Sequence, residues 1–290
     1  MFNRDLIDDL AREKVVLFLG AGVSSSAETV KGGKIAGWDE FLSKSCLQLP
    51  DGLQKQVQGL LSRKDYLLAC EILQSSLSDS WNDLIAVEFG QKAIPSELHK
   101  AIISLKQRII ITTNFDKLLE TAWESVDDVS THYPIVMTNI DETVFRLLKD
   151  HSNKFLIKIH GTVDRPDSLI FSRSEYIKSA FGNIRYSSFL ESLLLNYTFL
   201  FIGFSMDDPA IVSLMEMYAL KFPSARPHYI FSGGILADNI VEINKKLRKI
   251  IYLPYDPIDS HRLLPEQIIS LAKLASERRK EIIALSLNSN

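Results

Sequence analysis

Four short polar motifs in this sequence could do chemistry, and each directly follows an apolar run of strand length. The first is Gly20-Ala21-Gly22, which follows VVLFL and has Ser24 close behind it. Glycines at such a turn let the backbone approach a phosphate, and the N–H groups of a following helix N-terminus point at its negative charge. A tight structural turn explains a strand followed by GxG about as often, and Ser25 replaces the third glycine of the usual dinucleotide fingerprint. The motif therefore leaves a phosphate cradle and a structural turn both open.

The second and third motifs carry side chains suited to sugar and proton chemistry. In IIITTNFD, Thr113, Asn114 and Asp116 follow a strand, at the sheet edge where open α/β proteins bind ligands. The alternative is that Asn114 or Asp116 only caps the next helix. In FLIKIHG, His160 ends a strand, and its imidazole could act as a general base near neutral pH. A purely structural histidine is the alternative there.

The fourth motif, FLFIGFSMDDP, repeats the same design. Gly203 and Ser205 follow a buried strand, and Asp207 or Asp208 begins a helix. Four such motifs, separated by crossover-length segments, are hard to explain as four unrelated helix caps. Together they predict a ligand site at the carboxyl edge of a parallel sheet.

The elements that position these motifs alternate between strands and helices. Six apolar runs do not alternate with polar residues, which is typical of strands buried on both faces of a parallel sheet. Helical patterns lie between them, at 116–125, 208–220 and 238–247. This order predicts an α/β protein with a Rossmann-like, doubly wound parallel sheet. The predicted strands are 15–19, 108–111, 154–159, 198–202, 228–231 and 249–253.

The segment 38–105 departs from that alternation. Apolar spacings in WDEFLSKSCLQL, LQKQVQGLL and DYLLACEILQSSL predict three or more amphipathic helices. A second departure, 162–196, predicts a loop and helices over the edge of the sheet, and a terminal helix is expected at 265–285. Because no repeat or flexible linker interrupts the chain, we expect a single domain over 1–290 with a helical insertion at about 38–105.

Composition excludes several classes of function. With 46% hydrophobic and 24% charged residues, the chain has the composition of a folded globular protein. The formal charge of −3 provides no global field for nucleic acid or an anionic membrane, so direct binding to either is not expected. Cys46 and Cys70 lie in apolar helical patterns, which fits free thiols in a reducing cytosol. Neither a signal peptide nor a membrane-spanning run is apparent, so a cytoplasmic location is predicted.

The motifs GAGVS, TTNFD, HG and GFS resemble, in order and spacing, the sirtuin signature GAG-x-S, TQN-x-D, HG and G-[TS]-S. The chain is identified by this resemblance as similar to the zinc-less sirtuin-like domains of bacterial anti-phage defence systems. The resemblance implies that NAD is bound and that Asn114 and His160 are catalytic, with His160 as the base. The implied NAD-binding residues are Gly20, Ala21, Gly22, Ser24, Thr113, Asn114, Asp116, Gly203, Ser205 and Ser232.

The departures from protein-deacylating sirtuins refine this expectation. No cysteine follows Cys70, so the two CxxC pairs of the structural zinc site are missing and neither zinc nor any other metal is expected. KGGKIAGWDEF stands in place of the GIPDFR loop. Without the zinc module the usual acyl-lysine cleft is not expected, so water is the implied acceptor and the chain is predicted to be an NAD hydrolase that releases nicotinamide and ADP-ribose.

Two other classes of function stay open at this stage. One is an NAD-dependent deacylase or ADP-ribosyl transferase, and the other is a non-catalytic module that senses NAD or ADP-ribose. The resemblance to defence effectors also implies a homo-oligomer and a partner protein such as a HerA-type ATPase or an Argonaute-like sensor.

Overall fold

A computed structural model describes residues 2–125 and 133–288. Within these residues, seven strands form one all-parallel sheet in the order β5-β6-β4-β1-β7-β8-β9, and β2 pairs with β3 in a separate antiparallel ribbon. The strands are β1 Val15–Leu19, β2 Glu28–Thr29, β3 Ala93–Ile94, β4 Ile109–Thr112, β5 Ile135–Met137, β6 Phe155–Lys158, β7 Thr198–Ile202, β8 His228–Gly233 and β9 Ile250–Tyr255.

Helices cover both faces of this sheet, which confirms the predicted doubly wound α/β fold. Besides the α-helices, residues Glu142–Leu148 and Pro166–Ser168 form 3₁₀ helices, and residues Ile177–Phe181 form a π-helical turn. The α-helices are α1 Arg4–Ala11, α2 Ala21–Ser24, α3 Trp38–Cys46, α4 Asp51–Leu61, α5 Tyr66–Leu77, α6 Asp79–Phe89, α7 Glu97–Ser104, α8 Leu118–Glu124, α9 Arg173–Tyr176, α10 Ile184–Asn196, α11 Pro209–Lys221, α12 Asp238–Arg248, α13 Ile258–His261 and α14 Leu263–Asn288.

The central strand β1 shows why the apolar runs do not alternate with polar residues. Each of its residues is at most 1% exposed. Val16 and Phe18 pack into the layer that contains α10 and α11. Val15, Leu17 and Leu19 point the other way, into the layer that contains α1, α7 and α14. A strand covered on both faces therefore has a near-continuous run of apolar side chains.

Helices α3 to α6 form a third core above the carboxyl edge of the sheet. Phe41 and Trp81 are buried there, and they pack with Phe115 and Phe171, which come from loops at that edge. The rings of Phe115 and Phe171 have centroids 4.4 Å apart. This helical cluster therefore forms a wall beside the strand ends. Helix α7 lies outside it and packs against α14 in the helix layer of the sheet.

All six predicted strands are present, with bounds shifted by one or two residues at most. The sequence interpretation missed β5, an edge strand of three residues in which Ile135 and Val136 are exposed. Helices α8 and α11 begin at Leu118 and Pro209, slightly later than predicted. Asp208 is the N-cap of α11, and Asp116 lies before the N-cap of α8 and accepts from the Leu118 N–H.

Candidate functional site

The candidate site lies where the strand order of the sheet reverses. β4 lies on one side of β1 and β7 on the other, so the loops that follow β1 and β7 leave the sheet in opposite directions. Open α/β proteins bind ligands in the crevice at such a point. Here the crevice is a cavity of about 900 Å³, within the size range of small-molecule sites.

The structure brings nearly all of the predicted site residues to this cavity. Gly20 is the exception, since it does not contribute to the cavity wall. The lining includes the predicted residues Ala21, Gly22, Ser24, Thr113, Asn114, Asp116, His160, Gly203, Ser205 and Ser232.

The glycines of the first and fourth motifs let two loops touch. The Gly22 N–H donates a 2.9 Å hydrogen bond to the Gly203 carbonyl oxygen. A Cβ atom at Gly20 would lie 2.5 Å from that same oxygen, and a Cβ at Gly203, whose φ is +60°, would lie 2.7 Å from the Val23 nitrogen. These glycines are therefore required for backbone packing at the crevice, which is the structural-turn alternative. Ala21, Gly22 and Gly203 also line the cavity, so the phosphate cradle stays a prediction beside this structural role.

Asp116 connects the first motif, after β1, with the second motif, after β4. One of its carboxylate oxygens accepts from the Ser24 hydroxyl, and the other accepts from the Leu118 N–H at 2.9 Å. Lys158 donates to the Asp116 carbonyl oxygen and pairs with Glu120 at 2.9 Å. Asp116 therefore accepts from the first N–H of α8 from the position before the N-cap Lys117, and it also holds the β1 loop against the β4 loop.

Asn114 does not cap a helix. Its side-chain Nδ2 donates a 2.9 Å hydrogen bond to the Gly20 carbonyl oxygen, and its backbone N–H donates to Thr112 Oγ1. The side chain is buried and lines the cavity. One end of its amide therefore anchors the first loop, which places the carboxamide in a fixed orientation in the cavity wall.

His160 lies two residues after the end of β6 and is 8% exposed. Its Nε2 atom lies 3.4 Å from Asp208 Oδ2, a contact without hydrogen-bond geometry, and Nε2 has no other partner among the described residues. Burial lowers the pKa of His160 below its ordinary value, although the nearby Asp208 charge opposes that shift. The imidazole is therefore neutral at pH 7 and able to accept a proton.

Several residues of the cavity were not among the predicted site residues. Trp38 and Phe115 form an aromatic wall with ring centroids 6.0 Å apart, and Lys64 and Arg173 add positive charge. Trp38 had a sequence signal, because it stands in the segment that replaces the GIPDFR loop. Lys64, Arg173 and Tyr176 had no sequence signal, because only the packing of distant segments brings them to this cavity.

Across residues 2–125 and 133–288, no group of three or more histidine, cysteine, aspartate or glutamate side chains is arranged to hold a metal ion. Cys46 and Cys70 are both free and buried. None of the described helices is both long and apolar enough to cross a membrane.

Comparisons with known proteins agree with this geometry. Residues 108–251 match the family described as a SIR2-like domain. NAD(+) hydrolase ThsA of Bacillus cereus (strain MSX-D12) is 28% identical over 232 residues, covering 79% of this chain and 45% of that protein. NAD(+) hydrolase ThsA of Enterococcus faecium is 27% identical over 249 residues, covering 80% and 46%.

A third relative, Defense-associated sirtuin 2 of Bacillus subtilis, is 22% identical over 218 residues, or 73% of this chain and 20% of that protein. The chain spans less than half the length of these three curated relatives. The motif order and the sheet topology agree with the match of residues 108–251 to a SIR2-like domain, and the chain is similar to the ThsA relatives over about four fifths of its length.

Proposed function

We propose that this chain is an NAD hydrolase that cleaves the bond between nicotinamide and ribose. The observation that carries the proposal is that Asn114 and the buried, neutral His160 line the same cavity as the loops after β1 and β7. The names of the ThsA relatives support the same activity. The name of the sirtuin relative supports a role in defence, in which the hydrolase would deplete cytosolic NAD.

The cavity offers a surface for each part of NAD. We propose that the backbone at Ala21 and Gly22, with Ser205, receives the pyrophosphate, and that Lys64 and Arg173 add favourable charge. Ser232 would contact the adenosine side, and Gly203 the phosphates or the adenosine ribose. Thr113, Asn114 and Asp116 would line the nicotinamide-ribose pocket beside the Trp38 and Phe115 wall.

Cleavage of the bond between nicotinamide and ribose requires little acid catalysis, because the nicotinamide ring of NAD is cationic and leaves as a neutral molecule. The bond from ribose C1′ to the ring nitrogen breaks with its electron pair going to nicotinamide, and positive charge develops on the ribose. A fixed carboxamide dipole at Asn114 would hold the ribose hydroxyls or the attacking water. The water oxygen bonds to C1′, and its proton goes to His160.

The molecule that accepts the ADP-ribosyl group distinguishes the proposed hydrolase from a deacylase or a transferase. Purified protein should be incubated with NAD alone and with NAD plus an acetyl-lysine peptide, and the products separated. We expect nicotinamide and ADP-ribose at the same rate in both. Acetylated ADP-ribose formed with the peptide, or ADP-ribose attached to protein, would favour a deacylase or a transferase. Binding of NAD without any product would favour a sensing module.

We predict that the protein contains no stoichiometric zinc and has negligible lysine deacylase activity. The reason is that Cys46 and Cys70 are the only cysteines, and each is buried in the helical cluster. Elemental analysis of protein purified without chelators checks the metal. One tightly bound zinc ion per chain would contradict the prediction.

We propose further that assembly controls the hydrolase, since unrestrained NAD cleavage would deplete a cofactor that the cell needs. Candidate surfaces are the helical cluster α3 to α6 and helix α14, on which Ile283 and Leu287 are exposed. We expect the isolated chain to self-associate and to have low activity that rises with a partner, such as a HerA-type ATPase or an Argonaute-like sensor. Light scattering with a turnover assay tests this, and a fully active monomer would refute it.

A further inference from the structure

Asp208 contacts more groups than a helix cap requires. As the N-cap of α11, its Oδ1 atom accepts from the backbone N–H groups of Ala210 and Ile211, both at 3.1 Å. The same oxygen accepts from the Tyr176 hydroxyl. Oδ2 takes no part in the cap and lies 3.4 Å from His160 Nε2. Asn, Ser or Thr would cap this helix about as well as Asp, so capping alone does not require the second oxygen.

Tyr176 holds this arrangement from the opposite side. Its ring packs edge-on against the His160 ring, with centroids 5.8 Å apart and an interplanar angle of 74°. Its hydroxyl donates to Asp208 and accepts from the Ala210 N–H at 2.9 Å. Burial raises the pKa of Tyr176, so the hydroxyl keeps its proton and remains a donor. One side chain thus contacts both the carboxylate and the imidazole.

A carboxylate beside one nitrogen of a neutral imidazole determines which nitrogen carries the proton. Oδ2 can only accept, so it favours a proton on Nε2 and leaves the lone pair on Nδ1. The 3.4 Å contact does not have hydrogen-bond geometry, and catalytic hydrogen bonds are often long or poorly aligned before substrate binds. Histidine bases in other hydrolases are oriented by a carboxylate in the same way.

We propose that Asp208, held by Tyr176, is the positioning residue for His160: it keeps the proton on Nε2 so that Nδ1 receives the proton released in NAD cleavage. This inference rests on the proposed hydrolase function. It adds a role for the aspartate that follows the GFS motif, beyond ending a loop and starting a helix.

Asp208→Asn is the variant that separates positioning from capping. Asn keeps the oxygen that caps α11, but it replaces Oδ2 with an N–H₂ group that cannot accept from Nε2. The imidazole is then driven to the other tautomer, so we expect kcat to fall roughly 100-fold to 10,000-fold with KM and the melting temperature nearly unchanged. The matched control is Asp141→Asn, an exposed aspartate that caps the Thr143 N–H at 2.7 Å, and it should retain full activity.

The pH dependence of kcat/KM is a second measurement, and it should not change if Asp208 has only a structural role. kcat/KM requires neutral His160, so activity rises with pH through its pKa. Removing the Asp208 charge lowers that pKa further, so the acidic limb in Asp208→Asn should move to lower pH while the plateau falls. The other ionisable groups of the cavity wall are unchanged in this variant: Lys64, Asp65, Tyr66, Asp116, Arg173, Tyr176, Asp207, Tyr252 and Tyr255.

Tyr176→Phe tests the second support of the histidine. It removes the donor to Asp208 and keeps the ring against His160, so we expect a loss of roughly 10-fold to 150-fold in kcat, consistent with one hydrogen bond to a charged group. Tyr186→Phe is the matched control, because Tyr186 is buried in the same core but its hydroxyl has no partner among the described residues. That control should keep its activity.

The tautomer can also be measured without any turnover. Long-range ¹H–¹⁵N spectra of ¹⁵N-histidine protein, with His160→Gln to assign the signal, report which ring nitrogen is protonated and the pKa of the ring. We expect Nε2–H in the native protein, and Nδ1–H with a lower pKa in Asp208→Asn. An unchanged tautomer and pKa, or full activity in Asp208→Asn, would overturn the inference. A native protein that does not cleave NAD would overturn the proposed function instead, and the spectra would still decide the role of Asp208.

Discussion

His160→Gln is expected to lower NAD cleavage roughly 100-fold to 10,000-fold, because the variant loses the base that accepts the proton from water or ribose. The side chain lies at the end of β6, and its Nε2 atom makes no hydrogen bond within the described residues, so the fold should remain intact. Turnover is measured by nicotinamide release, and folding by the melting temperature. His151→Gln is the control, since His151 is exposed and distant in sequence from the site motifs.

Asn114→Ala belongs to the same prediction, with one difference. It should also abolish cleavage, but the Gly20 carbonyl then loses one of its two donors and keeps the Val23 N–H, which costs about 0.5–1.5 kcal/mol of stability. We therefore expect a lower melting temperature for this variant only. Near-normal turnover by folded His160→Gln protein would remove the proposed base and make His160 a structural histidine.

Lys158→Met is expected to lower the free energy of unfolding by about 3–5 kcal/mol, because it leaves the buried carboxylate of Glu120 without its cation. The side chains of Lys158 and Glu120 are 1% and 6% exposed and lie 2.9 Å apart. Lys158 also donates to the Asp116 carbonyl oxygen, so its loss should loosen the second motif as well. Chemical denaturation measures the change.

The control for this charge pair is Lys100→Met. Lys100 pairs with Glu97 at 2.7 Å on the surface of α7, with side chains 51% and 72% exposed, so its loss should cost less than about 1 kcal/mol. Adding Glu120→Gln to Lys158→Met should recover much of the lost stability. Equal, small losses in Lys158→Met and Lys100→Met would show that the buried pair does not stabilise the fold.

The sheet could be predicted because the burial of most of its strands is evident from short local runs of apolar residues. In β1, β4, β6 and β7 every residue is buried, and each strand contains a run of three to five apolar residues that indicates this burial. β5 is also apolar throughout, but it is an edge strand of only three residues, Ile135–Met137, directly after Pro134, and it was not predicted.

The candidate site was predictable at the strand ends and not beyond them. Parallel strands bring their carboxyl ends to one edge, so Asn114 and His160 could be placed near each other from the sequence. The contact of His160 with Asp208 and Tyr176 depends on how α9 and α11 pack across the crevice, which no local pattern encodes. The same holds for Gly20, whose role is close packing against Gly203.

Cleavage of NAD with His160 as the base is tested by a time course of purified protein with NAD alone. NAD, nicotinamide and ADP-ribose are quantified together for the native protein and for His160→Gln. We predict that the native protein releases nicotinamide and ADP-ribose in equal amounts, matching the NAD consumed, and that the variant releases roughly 100-fold less or lower still. NAD left intact by the native protein in every assembly state and with its partner present, or consumed equally fast by the variant, would contradict this account.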